Sequence, residues 1–189
     1  NYVFIGKPNN AAVPLGFLGG ELIHTSFNGS FDSNGYPKIS LAGNPFPSAI
    51  DGYKFIDDNA SAIEGQLYFW DHWGGNTHKW ELYQGGYAIR NKAGGVAATS
   101  HPDASQTDSG SKEPGQFIPI SQGFYVIQKN DYDAGSETYS NPGLGDVVFK
   151  NSQRIFKTEA NLSESLFIKG SNQKNKSKEL FDEDVKTNK

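Results

Sequence analysis

The chain has 189 residues, a formal net charge of −4 and no cysteine. That length fits one domain able to bury its own core. The acidic balance without a basic patch argues against nucleic acid, the apolar runs are too short to expect membrane insertion, and disulfides and thiolate metal sites are excluded. Methionine is absent too, position 1 included, which reads as an excised or processed piece of a longer protein.

The 22 glycines and 9 prolines are spread along the chain and punctuate short apolar or alternating runs. "NYVFIG" opens as a strand, and "GELIHTSFNG" alternates, with Leu22, His24 and Ser26 on one face and Ile23, Thr25 and Phe27 on the other. "FDSNGYPKISLAGNPFP" reads as a turn, a strand over Lys38 to Ala42, and a proline-locked corner. In that corner Asn44 is placed to bond backbone with its side-chain amide, while Pro45 and Pro47 fix φ around Phe46. "SAIDGYKFIDDN" is the best helix candidate, with Ser48 as its cap and Asp51 three residues on.

"IEGQLYFWDHW" is a strand and "ELYQGGYAIRN" a second one. "GGVAATSHPDASQTDSGSKEPG" is a long polar loop. "QFIPISQGFYVIQ" carries one or two strands, with Gln122 satisfying buried backbone and Gly123 at a bend or bulge. "GDVVFKNSQRIF" is a strand, a turn and an extended segment, with Asn151 and Arg154 placed to tie it to its neighbour. Short strands with turn chemistry between them indicate an all-β fold, an antiparallel β-sandwich or jelly roll with at most one or two short helices. The module spans 1–169. Residues 170–189 are polar and mixed in charge, a linker or the start of a following segment.

The chemically suggestive stretch is "YFWDHWGGNTHKW", which holds all three tryptophans. On a strand Leu67, Phe69 and Asp71 share one face and Tyr68, Trp70 and His72 the other. Core packing is the expectation for Tyr68, Phe69 and Trp70. Trp73 and Trp80 bracket a loop, so with Tyr83 and His78 they are the candidates for stacking and hydrogen-bonding a sugar. A transition metal at Asp71, His72 and His78 has the right ligand types without zinc-like spacing. For calcium, Asp131, Asp133 and Glu137 surround Gly135 and can converge on a tight turn; the competing reading is a polar hairpin. Asp32 to Gly35 is a weaker candidate of the same kind. No nucleophile elbow, zinc-protease, P-loop or dinucleotide motif is present, and no catalytic residue is assigned.

Five spaced motifs, "LAGNPFPSAIDGYKFI", "IEGQLYFWDHW", "GGYAIRNKAGGVAA", "GQFIPISQGFYV" and "VVFKNSQRIF", together resemble a β-rich module of large secreted and cell-surface proteins of Bacteroidota. In those proteins the module lies ahead of the C-terminal sorting domain read by the type IX secretion system. The resemblance covers about Asn1 to Phe156. It implies an extracellular or outer-surface location, a non-catalytic accessory role in display, spacing or adhesion, and the type IX machinery as a partner through the parent protein. Glycans or surface proteins are the partners then expected. The rival reading is a carbohydrate-binding module of a polysaccharide-degrading enzyme.

Overall fold

The structure is a computed structural model and describes residues 21–74, 84–100 and 109–157. The expected strand at "NYVFIG", the 170–189 segment, His78, Trp80 and Tyr83 lie outside the described residues. Twelve strands occur among the described residues, in chain order β1 (Glu21–Asn28), β2 (Ile39–Gly43), β3 (Ala49–Asp51), β4 (Leu67–Gly74), β5 (Gln84–Arg90), β6 (Gly95–Val96), β7 (Phe117–Ile118), β8 (Gly123–Ile127), β9 (Asp131–Asp133), β10 (Thr138–Ser140), β11 (Leu144–Lys150) and β12 (Arg154–Ile155). One α-helix among the described residues, α1 (Gly52–Asp58), follows β3, and a short 3-10 turn at Asn151–Gln153 precedes β12. The fold is all-β and sandwich-like, as the turn-punctuated sequence predicts. None of the described helices is long and apolar enough to cross a membrane.

The main sheet has five strands in the order β2-β8-β4-β5-β6, and every pairing in it is antiparallel. A two-stranded sheet, β1-β11, lies against it, with a register shift between Ile23 and Thr25. A small β12-β3-β7 sheet and the β9-β10 hairpin complete the set. Alternation puts Ala42, Leu67, Phe69, Ala88, Phe124 and Val126 on the inner face of the main sheet, all buried. They meet Phe27, Val147 and Phe149 from β1 and β11, and Phe55 and Ile56 from α1. Rings join the layers: Phe149 lies 4.9 Å from Phe55 and 6.3 Å from Phe124, centroid to centroid.

The helix begins later than its sequence suggests. Ser48 is not the cap: Ala49–Asp51 pairs as β3 with Phe117–Ile118 and with Arg154–Ile155. Asp51 is the N-cap, its carboxylate accepting from the Tyr53 N–H at 3.0 Å. Sheet pairing on both sides of these apolar residues outcompetes an extra helical turn. Gly52 follows because a Cβ there would stand 2.8 Å from the Gln116 carbonyl oxygen. Gly123 marks no bend or bulge; it opens β8 directly opposite Gly43.

With no cysteine available, buried side-chain amides fasten the loops. Asn44 Nδ2 donates toward the carbonyls of Ser48, Ile118 and Pro119 at 2.9, 3.2 and 3.0 Å, and its Oδ1 accepts from Phe46 N–H. Asn59 ties the end of α1 to β11 by donating to Phe55 and Val148 carbonyls and accepting from Val148 N–H. Gln128 spans from Ser30 to Gly143. Gln122 Nε2 donates to the Gly123 carbonyl at 2.8 Å, as its position before β8 predicts. Arg154 reaches Ser48 Oγ and Asn151 Oδ1 and lies over the Phe46 ring, joining β12 to the corner.

Candidate functional site

The outer face of the five-stranded sheet carries the clearest candidate surface. Alternation places Ile39 and Leu41 of β2, Tyr125 of β8, Tyr68, Trp70 and His72 of β4, Tyr87 of β5 and Val96 of β6 on the face opposite the core. Trp70 is 43% exposed and Tyr87 44%, high values for large side chains on interior strands of a sheet, and Leu41 on the edge strand β2 is 58% exposed. The expectation that Trp70 belongs to the core is therefore corrected. Phe69 is buried as expected, Tyr68 is half-buried, and Trp70 is presented to solvent because no layer among the described residues covers this face.

The rings form a row. Trp70 and Tyr87, directly opposite in the β4-β5 ladder, meet edge to face at 5.0 Å and 69°. Tyr87 meets Tyr125 at 5.6 Å and 90°. This is the favoured geometry for aromatic quadrupoles and holds each ring with little freedom. Tyr68 stands on the same face, opposite Tyr125 in the β4-β8 ladder. Its hydroxyl donates to Glu64, and burial, then the Glu64 carboxylate, push the phenol well above the usual tyrosine range.

A groove of about 440 Å³ lies in this face, lined by Leu41, Trp70, Tyr87, Gln122, Gly123, Phe124 and Tyr125. The groove exists because β8 contributes Gly123 where a side chain would stand between Leu41 and Trp70, and Gly43 pairs with it on β2. A Cβ on Gly123 would meet only ordinary contacts, at 3.8 Å or more. Space, not backbone need, is what this glycine supplies. The lining has an indole, two phenols, an amide and aliphatic groups, and no ionisable group other than the phenols. It is suited to stacking and hydrogen bonding an uncharged ligand.

The tryptophan nominated from sequence is elsewhere. Trp73 lies near the end of β4, at the register shift between His72 and Gly74, and alternation sets it on the inner face with Leu67, Phe69 and Asp71. It is part-buried against the core rather than presented on an open loop. Next to it Asp71, on the inner face, has a fully buried side chain paired with Lys112 Nζ at 3.3 Å. Its other oxygen has no hydrogen-bond partner among the described residues.

Among the described residues, no group of three His, Asp or Glu side chains is placed to hold a metal ion. Asp131, Asp133 and Glu137 share the β9-β10 hairpin without converging. Asp133 accepts from Ser136 Oγ at 2.6 Å and from Gly135 N–H at 2.9 Å, bonds that hold its carboxyl below the usual range. Asp131 accepts from Asn141 at 2.5 Å, and Glu137 occupies a left-handed turn position at φ 53°. Asp32 likewise spends its carboxylate on the N–H groups of Asn34 and Tyr36.

The surface was half legible beforehand. Tyr68, Trp70 and His72 share a face by simple alternation. What linear sequence could not supply is that Tyr87, Tyr125 and Leu41 come to the same face, since that needs the order of the strands.

No curated protein and no solved structure matches this chain. One family model does, over residues 1–185, that of a domain of unknown function, DUF8693. Nearly the full length is covered, and the chain belongs to that family.

Proposed function

We propose that this chain is a non-catalytic recognition module of a secreted, multidomain cell-surface protein, serving display, spacing or adhesion, with the aromatic outer face as its contact surface. The observation that carries the reading is the Trp70–Tyr87–Tyr125 row, with Trp70 and Tyr87 exposed and Tyr125 half-buried, beside a groove opened by Gly123. A row of rings locked edge to face costs little side-chain entropy on binding. The five-motif resemblance supplies the outer-surface location and export through the type IX machinery, engaged by the parent protein. Fractionation of the native organism tests the location: a soluble cytoplasmic pool of the parent overturns it.

A second reading is favoured by the groove itself. An uncharged lining with an exposed indole and two phenols suits the C–H face and hydroxyls of a neutral sugar, as in a carbohydrate-binding module attached to a polysaccharide-degrading enzyme. A glycan array decides between the two. Under the sugar reading, Trp70→Ala lowers affinity at least tenfold, about 1.4 kcal/mol, and Gly123→Val abolishes binding by filling the groove while leaving the melting temperature within a few degrees. No saturable glycan binding by the wild type sets the sugar reading aside. Retained adhesion to cells or surface proteins that is lost in Trp70→Ala then supports the first.

A further inference from the structure

β2 forms one edge of the main sheet and pairs only with β8 among the described strands. Its ladder is fixed by the bonds at both ends: Gln128 N–H donates to the Lys38 carbonyl at 2.8 Å, and Asn44 N–H to the Gln122 carbonyl at 3.1 Å. In an antiparallel pair, alternate residues face the partner. Residues 38, 40, 42 and 44 therefore bond toward β8, and Ile39, Leu41 and Gly43 direct both N–H and C=O away from it. The side chains of Ile39 and Leu41 are 63% and 58% exposed.

An edge of this kind is ordinarily blunted by a charge, a proline or a bulge, since it is a template for another strand. β2 has none of these within Ile39–Gly43, and its pairing with β8 runs without a register shift. Its outward groups are also self-complementary. Turned about a two-fold axis through Leu41, the strand sets Leu41 opposite Leu41 of a second copy and Ile39 opposite Gly43. Every outward N–H then meets a C=O, and no charged side chains are brought together.

We propose that two copies of this chain associate through their β2 strands, antiparallel and centred on Leu41, to make one continuous ten-stranded sheet. The inference rests on backbone hydrogen bonding and is independent of what the aromatic face binds. Leu41 also lines the groove, so pairing runs the two grooves into one surface. The two Trp70 strands then stand about 24 Å apart, five steps at ~4.8 Å each. The result is a two-site face suited to an extended or repeated ligand, where the second contact gains from the first.

Sedimentation of the full chain across a concentration series tests this. A short edge buries little area, so the wild type is expected to pass from monomer to dimer over the range of about 10–500 μM. Leu41→Lys and Leu41→Glu should each be monomeric, because like charges then face each other, with melting temperatures near that of the wild type. Mixed one to one, they should recover a dimer at least as tight as the wild type. Recovery on mixing is specific to the Leu41-centred register. Amide exchange adds a readout that folding defects do not imitate: Ile39, Leu41 and Gly43 should exchange quickly in the monomer and slow on dimerisation, with Ser40 and Ala42 slow throughout. A wild type monomeric up to 500 μM overturns the proposal. So does a dimer indifferent to both substitutions, or slow exchange of the outward amides in the monomer, which would show the edge covered by the chain itself.

Discussion

At the scale of single residues, polar groups set deep in the sandwich carry much of its specificity. Asn44, Asn59, Gln128 and Gln153 are all buried, and each amide bonds segments distant in sequence or at a corner. A buried amide left unpaired costs about 1–3 kcal/mol, so misfolded arrangements that strand one are disfavoured. His24 is a different case. It sits at the β1 register shift, 2.9 Å from Ser40 Oγ and edge-on to the Phe149 ring at 6.2 Å. Burial lowers its pKa from the ordinary 6.5. The folded state thus holds the neutral imidazole, and the unfolded state takes up the proton first as pH falls. Stability from this residue is complete above about pH 6.5 and declines as pH drops from there to the folded-state pKa. Thermal melts from pH 8 to 5 should show a fall that is shallower in His24→Gln; equal slopes in the two proteins count against the imidazole as its source.

At the scale of elements, local rules and pairing competed, and pairing won where a strand partner was at hand. The helix start moved from Ser48 to Asp51 because Ala49 and Ile50 are held by β7 and β12. The β9-β10 hairpin shows the reverse, a segment whose turn is set by local chemistry, while Tyr139 rests on Phe31 and Tyr36. Asp133 accepts from a backbone N–H and a hydroxyl, Asp131 accepts from the Asn141 amide, and Tyr132 stacks across on Tyr139 at 4.9 Å. A turn satisfied from within gains nothing from a cation. EDTA should leave the melting temperature unchanged, and calcium should not raise it. A fall of several degrees on chelation would show an ion bound to the native state by mass action.

At the scale of the whole molecule, Phe149 is the joint between layers. Its ring contacts Phe46, Phe55 and Phe124 as well as His24, so it touches the corner, the helix and the main sheet together. Phe149→Ala should cost about 3–5 kcal/mol, read from denaturant unfolding. A cost below 1 kcal/mol would mean that the layers do not depend on this contact. The other face of the main sheet has no such joint among the described residues, and it is there that large apolar side chains remain exposed.

The all-β class, the strand positions in "LYFWDHW" and "GFYVI", the amide-fixed corner at Asn44 and the polar hairpin at Gly135 were determined by sequence alone. Period-two alternation, glycine and proline punctuation and side-chain hydrogen bonding act over a few residues and can be read there. Which of the two faces of β4 would be buried was decided by tertiary structure, because both faces begin with large apolar groups. The choice depends on what packs above the sheet: β1, β11 and α1 cover Leu67 and Phe69 and leave Trp70 open. The groove likewise needed β8 and β5 on either side of β4, bringing Gly123 and Tyr87 from positions 36 residues apart. Strand order is set by long-range burial, and no local signal encodes it.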